Sequence, residues 1–524
     1  MSTQALPTTA TVAVIGAGAM GAGIAQIAAQ AGHRVQLLDL KPGAAAQAVA
    51  GIQKAFTRLV EKGRMEAQAA AEAGARLSVA GTAAELLGAA LVVEAVIEKL
   101  DVKQQLFAEL ESIVSDGCIL ASNTSSISIT VIGAALRRPQ RLLGMHFFNP
   151  APLMALVEVV SGLATKAAVA QTVHDTALAW GKSPVFTKST PGFIVNRCAR
   201  PYYAEALRLL NEQAADPATL DAVMREGGGF RMGPFELMDL IGHDVNFAVT
   251  RSVFEAYFGD PRFTPSLIQQ ELVNAGHLGR KSGRGFYNHA EGAVAPAPAT
   301  EAPAALANGL ALWTGEALGQ ALARRLAAAG VPFTAHDVRH HDARVLRVGE
   351  TLVHLTDGRS ATQRAADNSH EATVLADLTL DPLTARRIAL ARADHCSEAA
   401  FKAAVAVFQA AGLAVSRLDD VPGLAVMRTV AMLANEAADA VLQGVCDAAA
   451  ADLAMQKGVN YPRGPLAWAD AIGLPRVMAV LDHLARAYGE DRYRCSNLIR
   501  RKVSGGSTFH AGAAAKPTVE VAHG

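Results

Sequence analysis

The chain has 524 residues, of which 51% are hydrophobic and 18% are charged, with 48 basic and 48 acidic side chains. This length supports several domains with sizeable cores, and the composition excludes a disordered chain. The balanced charge argues against a nucleic-acid partner and against an anionic membrane surface. The five cysteines are widely separated and show neither metal spacing nor a disulfide framework, which predicts a cytoplasmic protein without a bound metal.

A short apolar strand and a glycine turn form the first motif of the chain. Val12–Ile15 has the pattern of a buried parallel strand. Gly16, Gly18 and Gly21 follow in G-x-G-x-x-G spacing, which is predicted to allow a tight turn, the approach of a pyrophosphate, and close packing of strand and helix. The amides at the start of the next helix favour a phosphate. Asp39 ends the second predicted strand, where a carboxylate accepts hydrogen bonds from a ribose and repels a 2′-phosphate, so the motif predicts NAD rather than NADP.

The predicted helix over residues 44–64 carries three basic side chains on one face. Lys54, Arg58 and Lys62 recur every four residues, so they lie along one side of that helix. They form either an ordinary solvated face or a phosphate-binding ridge beside the dinucleotide site. Spacing alone leaves both interpretations open.

Polar residues follow two further predicted strands. Glu98 and Lys103 come after the apolar run Leu91–Ile97, where the carboxyl end of a parallel strand meets ligands. They either contact the cofactor or form an ordinary ion pair on the next helix. The sequence SNTSS, residues 122–126, follows the next apolar run and is typical of a helix cap, which still allows one hydroxyl to face the ligand.

An isolated histidine and an isolated glutamate lie in neighbouring apolar runs. His146 and Glu158 are both surrounded by apolar residues in the sequence. A carboxylate in an apolar strand must be paired or neutralised, and the natural partner of each residue is the other. Such a pair would fix the tautomer of the imidazole and make it a proton acceptor near neutral pH. The alternative is a histidine that is simply satisfied within the core.

The periodicity changes from α/β to helical near residue 188. Asn196 lies in the first turns of the first helix that follows, facing the domain boundary. The loop Gly279–Tyr287 closes the helical region, and it is either an ordinary loop or one whose Lys281 reaches back to a phosphate. The predicted organisation is a Rossmann domain at 1–188, a helical domain at 189–289, an Ala/Pro-rich linker at 290–304, a degenerate α/β segment at 305–420, and a second helical domain at 421–524.

The second helical domain is predicted because the sequence repeats itself without a gap. Pro191-Gly192 matches Pro422-Gly423, an offset of 231 positions that also relates further Glu, Asp and Gly-Pro positions. At this offset Met427 replaces Asn196, and Ala389 falls opposite Glu158. The α/β segment between the copies contains no G-x-G-x-x-G. The second half is therefore predicted to be structural, a duplicated half that lost its site.

Several motifs together resemble the NAD-dependent (S)-3-hydroxyacyl-CoA dehydrogenase family. They are GAGAMGAGIA, SNTSS, GMHFFNPAPLMALVEVV, GKSP, TPGFIVNR, MGPFELMDLIG and GRKSGRGFY. The resemblance covers residues 11–287 and returns, for the helical domain, at 400–503. The duplicated layout is similar to the long bacterial members, which include the 3-hydroxyadipyl-CoA dehydrogenases of phenylacetate degradation.

The resemblance implies specific roles for the candidate residues. His146 would be the catalytic base and Glu158 its partner, while Ser125 and Asn196 would bind and orient an acyl-CoA substrate. The CoA phosphates would be bound by Lys62 and Lys54. The implied contacts to NAD are Gly16, Gly18, Gly21, Asp39, Glu98, Lys103, Asn149 and Lys281.

The resemblance also implies a reaction and an assembly. A hydride would pass from C3 of a 3-hydroxyacyl thioester to NAD⁺, with closure of the two domains completing the site. In short family members the helical domain forms the dimer interface, so the two copies are expected to pack as an internal pseudo-dimer, with a further homodimer left open. The alternatives are a 3-hydroxybutyryl-CoA dehydrogenase of fatty-acid or polyester metabolism and a non-catalytic NAD-binding protein.

Overall fold

The computed structural model describes residues 4–338 and 343–510. Residues 339–342 of the predicted α/β segment and residues 511–524 of the predicted second helical domain lie outside the described residues. Two compact units divide the chain. The first comprises Met1–Arg197 together with Gln443–Val459, and the second comprises Cys198–Leu442 and the described chain from Asn460 onward.

An eight-stranded sheet forms the centre of the first unit. Its strands are β1 (Thr11–Ile15), β2 (Val35–Leu38), β3 (Leu77–Val79), β4 (Ala89–Glu94), β5 (Ile119–Ser122), β6 (Leu142–Phe147), β7 (Leu156–Ser161) and β8 (Ser183–Lys188). They are ordered β3-β2-β1-β4-β5-β6-β7-β8. Every neighbouring pair is parallel except β6 and β7. This is the predicted Rossmann arrangement.

Helices cover both faces of this sheet. They are α1 (Ala19–Gln30), α2 (Ala44–Glu61), α3 (Ala67–Ala75), α4 (Leu100–Ile113), α5 (Ile129–Gly133), α6 (Ala167–Ala179) and α7 (Val195–Cys198). Alternate residues of β1 enter two separate hydrophobic cores, with Val12 and Val14 in one and Ala13 and Ile15 in the other. Because both faces of β1 are buried, its sequence is continuously apolar rather than alternating.

Helices dominate the first part of the second unit. They are α8 (Arg200–Asn211), α9 (Pro217–Ala222), α10 (Pro234–Ile241), α11 (His243–Ala256) and α12 (Leu267–Asn274). Proline at the first position of α9 and of α10 suits a helix start, because that N–H would have no intrahelical partner.

A second, seven-stranded sheet follows in the same unit. Its elements are β9 (Leu310–Trp313), α13 (Ala317–Ala328), β10 (Thr334–His336), β11 (Arg344–Val348), β12 (Thr351–Leu355), α14 (Ala361–Asn368), β13 (Thr373–Ala376), β14 (Arg387–Arg392), α15 (Glu398–Ala410) and β15 (Ala414–Arg417). The strand order is β10-β9-β11-β12-β13-β14-β15. β11 is antiparallel to both neighbours, and β13 is antiparallel to β14, so this sheet has more antiparallel pairs than the first.

The last helices repeat features of the first helical set. They are α16 (Val426–Leu442), α17 (Ala448–Gly458), α18 (Pro465–Ile472), α19 (Leu474–Tyr488) and α20 (Asn497–Ser504). Asp239 accepts hydrogen bonds from the amides of Phe286 and Tyr287. Asp470, at the offset of 231, accepts equivalent hydrogen bonds from the amides of residues 509 and 510. The same local conformation is therefore present in both helical segments.

Helix α17 packs in the first unit rather than with its neighbours in sequence. It contacts β7 and β8 of the eight-stranded sheet. The amide of Lys188 donates to the carbonyl of Val445 (3.0 Å), and the Arg197 guanidinium donates to Gln443 Oε1 (2.8 Å). A segment of the second helical copy thus completes the Rossmann unit.

None of the described helices has the length and hydropathy of a membrane span. Within the described ranges, no group of three or more His, Cys, Asp or Glu side chains is placed to hold a metal ion.

Candidate active site

The surroundings of the three glycines in the turn after β1 explain in different ways why each position lacks a side chain. Gly16 has a φ of +100°, and a Cβ there would lie 2.5 Å from the carbonyl oxygen of Ala95. A Cβ at Gly21 would lie 1.8 Å from the carbonyl oxygen of Gly16, so only glycine lets α1 pack this close. A Cβ at Gly18 would meet nothing within 4 Å. Gly18 is therefore not needed for packing, and its missing side chain leaves open space at the start of α1, where a pyrophosphate fits.

The carboxylate of Asp39 lies against the same turn. The amide of Ala17 donates to Asp39 Oδ2 (2.6 Å), and the amide of Lys41 donates to Oδ1 (2.8 Å). These two hydrogen bonds fix the carboxylate at the end of β2 while leaving it partly exposed. An open groove of about 340 Å³ runs from this turn between α1 and α2, lined mainly by small residues of the two helices.

A buried ion network lies at the ends of β4 and β5. Lys103 is only 1% exposed, and its Nζ contacts Glu94 Oε1 (2.5 Å) and Glu98 Oε2 (3.2 Å). Ser122 Oγ donates to the other oxygen of Glu94 (2.6 Å). The sequence pattern did not reveal Glu94 as the partner of Lys103. The Lys103 ammonium is thus paired with two carboxylates, and its predicted effect on the cofactor would be exerted through Glu98.

Glu98 organises the SNTSS loop. Its Oε1 accepts hydrogen bonds from Thr124 Oγ1 (2.5 Å) and from the amides of Ser125 (3.0 Å) and Ser126 (3.2 Å). Partial burial raises the pKa of Glu98, but the hydrogen bond from Thr124 and the charge of Lys103 bring that pKa below its ordinary value. The carboxylate is therefore ionised at neutral pH. It is 37% exposed, so it combines a structural role with access to a ligand.

His146 and Glu158 are direct partners in the antiparallel pair of β6 and β7. His146 Nδ1 lies 2.6 Å from Glu158 Oε2, with His146 5% exposed and Glu158 fully buried. The other oxygen, Oε1, accepts hydrogen bonds from the amides of Ile194 (2.9 Å) and Val195 (3.0 Å) at the start of α7. A carboxylate only accepts hydrogen bonds, so the short contact places a proton on Nδ1 and leaves Nε2 as the ring nitrogen that can accept a proton.

Two aromatic rings flank the imidazole. The ring of Phe148 lies 4.6 Å from that of His146, and the ring of Phe193 lies 5.7 Å from it, measured between centroids. Within the described part of the chain, Nε2 of His146 makes no hydrogen bond. The pair is thus held in an apolar setting with one nitrogen available to a ligand.

Ser125 and Asn196 approach each other in the first unit. Asn196 Nδ2 lies 3.5 Å from the backbone oxygen of Ser125, a long distance for a hydrogen bond. The Ser125 hydroxyl has no hydrogen-bond partner among the described residues, so it is available to a substrate oxygen.

The remaining predicted residues lie on the surface. Asn149 is exposed and precedes a cis peptide bond to Pro150. Lys54, Arg58 and Lys62 are exposed along one side of α2 and at its end. Lys281 lies in the second unit, where its ammonium pairs with Asp244.

Comparison with known proteins identifies the family. The NAD binding domain model of 3-hydroxyacyl-CoA dehydrogenase matches residues 11–190, and the C-terminal domain model matches 192–289 and again 423–512. A 3-hydroxyadipyl-CoA dehydrogenase of Escherichia coli is 43% identical over 94% of this chain and 97% of its own length. The chain belongs to the 3-hydroxyacyl-CoA dehydrogenase family. The dehydrogenase is therefore an enzyme whose cofactor is NAD.

Solved structures give the same assignment. The crystal structure of a 3-hydroxybutyryl-CoA dehydrogenase from Escherichia coli K12 is 41% identical, covers 96% of this dehydrogenase and all of that chain, and has a TM-score of 0.87. An (S)-3-hydroxybutyryl-CoA dehydrogenase from Ralstonia eutropha is 39% identical, with a TM-score of 0.53, and covers 54% of this chain and all of its own. A reduced Rossmann-fold domain model of 3-hydroxybutyryl-CoA dehydrogenase matches residues 353–422, which shows a reduced α/β region in the second half of the chain.

The second half of the dehydrogenase has different residues at the positions that correspond to His146 and Glu158. Asp377 stands 231 positions after His146, and its amide donates to the carbonyl of Ala389, the residue that falls opposite Glu158. Asp377 Oδ2 accepts hydrogen bonds from the amides of Ala425 (3.0 Å) and Val426 (2.7 Å). These amides are equivalent to the two that Glu158 binds in the first half. Asp377, which sequence analysis missed, thus takes over the helix-capping role of Glu158 without a histidine.

Proposed function

We propose that this dehydrogenase oxidises the C3 hydroxyl of an (S)-3-hydroxyacyl-CoA with His146 as the general base. The observation that carries the proposal is the short contact between His146 Nδ1 and the buried Glu158. This contact holds the proton on Nδ1, so Nε2 is free to accept the hydroxyl proton as the hydride leaves C3. Glu158 then stabilises the imidazolium that forms.

The glycine turn supports the binding of NAD. The space beside Gly18 and the start of α1 suit the pyrophosphate, and Asp39 suits the adenosine ribose. Bound NAD⁺ supplies the hydride acceptor. Glu98, Lys103, Asn149 and Lys281 are proposed as further cofactor residues, with Lys103 acting through Glu98.

Substrate binding is assigned to Ser125, Asn196 and the basic face of α2. Ser125 has a free hydroxyl and lies beside the Asn196 amide, so the two can hold the C3 oxygen or the thioester carbonyl and orient C3. Lys54 on α2 and Lys62 directly after its end are both exposed and can bind the CoA phosphates.

The acyl chain is proposed to be 3-hydroxyadipyl, as in phenylacetate degradation. Support comes from the Escherichia coli relative of that name, which shares the full layout. The alternative is 3-hydroxybutyryl-CoA, the substrate named for the Escherichia coli crystal structure. Comparison of kcat/KM for the two acyl-CoA substrates decides between them, and a preference for the straight C4 chain would overturn the adipyl assignment.

The proposed assembly is an internal pseudo-dimer of the two helical copies. Arg428 of α16 is fully buried and donates from Nε to Glu205 of α8 (2.7 Å). Arg262 donates to Glu436 (3.1 Å), which lies at the offset of 231 from Glu205. The proposed domain limits remain 1–188, 189–289, 290–304, 305–420 and 421–524. The family models, at 11–190, 192–289 and 423–512, support the Rossmann domain and the two helical domains among them.

All five cysteines are free thiols, which supports the expected cytoplasmic location. They are Cys118, Cys198, Cys396, Cys446 and Cys495.

His146→Gln tests the proposed chemistry. Reduction of acetoacetyl-CoA by NADH should fall by about 100-fold or more in kcat, because no group remains to transfer the proton. NADH affinity should be nearly unchanged. His174→Gln is the matched control, because His174 is a partly exposed histidine that pairs with Asp175 in the same unit. If the His146 variant kept the kcat of the control, His146 would not be the base.

A further inference from the structure

A small cavity in the second unit is lined by four arginines. They are Arg200, Arg208, Arg262 and Arg492. The cavity has a volume of about 170 Å³. Among the described residues that line it, none is acidic. None of its lining residues belongs to the proposed catalytic or cofactor-binding set.

The positive charge around this cavity is incompletely neutralised. Arg492 is 6% exposed, and its guanidinium makes no hydrogen bond among the described residues. Arg492 forms an ion pair with Glu490, with 3.5 Å between Nε and Oε2. The guanidinium of Arg208 binds the same oxygen of Glu490 at 3.1 Å. Burial lowers the pKa of Arg492 below its ordinary value. The charge of Glu205 raises this pKa and the charge of Arg208 lowers it further, so the nearby carboxylate offsets the effect of burial only in part. Such a buried cation is costly unless an anion joins it.

The other arginines differ in how well they are paired. Arg262 is held by Glu436 and Asp439, yet its Nε has no partner. Arg200 is 5% exposed, donates to Thr250 Oγ1 (3.1 Å) and lies over the ring of Tyr203. Burial lowers the pKa of Arg200.

A helix start faces the same cavity. Ser266, the N-cap of α12, and the first-turn residues Leu267 and Ile268 line it. No side chain caps this helix, so the amides at its start lack a partner within the helix. Free amides and the helix dipole favour an anion at this place.

We propose that this cavity binds a compact dianion, of the phosphate or short dicarboxylate class, between Arg492, Arg200 and the first turn of α12. The small size of the cavity suits a compact anion. Arg492 belongs to the second helical copy, and the other lining residues belong to the first. The bound anion therefore joins the two copies and stabilises their packing.

Calorimetric titration of the full chain tests the site. Inorganic phosphate and succinate are the probes, with sodium chloride at equal ionic strength as the control for non-specific screening. We expect saturable binding of one anion per chain, and the tighter of the two probes identifies the ligand class. If neither probe binds saturably, the proposal is wrong.

Two variants and one control locate the binding. Arg492→Gln should weaken binding by roughly tenfold or more, because a charge-assisted hydrogen bond is lost. Asn211→Asp places a negative charge at the exposed rim of the cavity and should also weaken binding, even if the first variant folds poorly. Arg251→Gln removes an exposed arginine of α11 that does not line the cavity, and it should bind as the wild type does. Wild-type affinity in both cavity variants would overturn the site.

Discussion

The carboxylate of Glu158 accepts three hydrogen bonds, which serve two different structural roles. One oxygen holds Nδ1 of His146, and the other caps the start of α7 through the amides of Ile194 and Val195. The imidazole is therefore fixed to a helix start as well as to its strand. Both roles suit a carboxylate at this position, because a carboxylate accepts all three hydrogen bonds without presenting a donor.

Glu158→Gln removes the negative charge of this side chain while nearly keeping its size and shape, so it tests the contribution of the charge to catalysis. The amide nitrogen of Gln would donate to Nδ1, which forces the proton onto Nε2 and removes the basic nitrogen. We expect kcat to fall by about 100-fold or more, with NADH affinity little changed. Steady-state rates between pH 6 and pH 9 measure this loss. A variant with the pH profile and kcat of the wild type would contradict the pairing.

The roles of individual residues were only partly predictable from the sequence. Gly16, Gly18 and Gly21 follow a local spacing, so their three functions can be inferred from the order of residues alone. Lys103 could not be placed in the same way, because its burial depends on Glu94, a residue on another element. Local spacing determines a turn, whereas the partner of a charged group is determined by tertiary contacts.

At the scale of elements, the two copies use the same turn with different acids. Gly192 and Phe193 both have positive φ before α7, and Gly423 and Leu424 repeat this conformation before α16. In the first copy the turn is capped from β7 by Glu158. In the second it is capped by Asp377, directly after β13. The acid has moved to the neighbouring strand, so Ala389 is tolerated where the first copy has Glu158.

Asp377→Ala should reduce stability without reducing kcat. Burial raises the pKa of Asp377 to about 6, although the amides of Met427 and Val426 lower it. A folded-state pKa above the ordinary 3.8 means that the unfolded chain ionises first as the pH rises. The contribution of Asp377 to the free energy of unfolding is therefore greatest below pH 4 and falls by about 3 kcal/mol through pH 6.

Thermal unfolding of wild type and variant at pH 4.5 and pH 7.5 measures this effect. The wild type should exceed the Asp377→Ala variant in Tm by more at pH 4.5 than at pH 7.5. Equal Tm differences at the two values would show that the buried carboxyl does not titrate in this range. A large loss of kcat would instead show that the second copy acts in catalysis.

At the scale of the whole molecule, the second helical copy contributes a helix to the first unit. α17 packs on β7, the strand that carries Glu158. A Cβ at Gly458 would lie 2.6 Å from Leu156 Cδ2, so the helix approaches the strand closely. Sequence analysis found the duplication, because repeats are visible in one chain. It placed α17 in the second helical domain, since packing in another unit leaves no local pattern.

In both sheets, the first strand is followed by a similar turn into a helix. The two turns differ at the N-cap residue of that helix. α1 and α13 each start four residues after a strand ends, and their N-caps are Gly18 and Glu316. Gly319 retains the packing role of Gly21, since a Cβ there would lie 2.0 Å from a backbone oxygen of β9. Glu316 is buried and binds Arg476 (2.7 Å). The N-cap of α13 therefore carries an acidic side chain at the position where the N-cap of α1 is glycine.

This difference predicts one NADH per chain, which calorimetry measures directly. It also predicts that Gly18→Glu, which copies the second turn into the first, abolishes NADH binding by filling and charging the phosphate site. The fold should survive, because no atom lies within 4 Å of the added Cβ. Gly117→Glu is the matched control, since Gly117 is also exposed and unobstructed. Two NADH per chain, or wild-type affinity in the Gly18 variant, would mean that the glycine turn does not decide which half binds the dinucleotide.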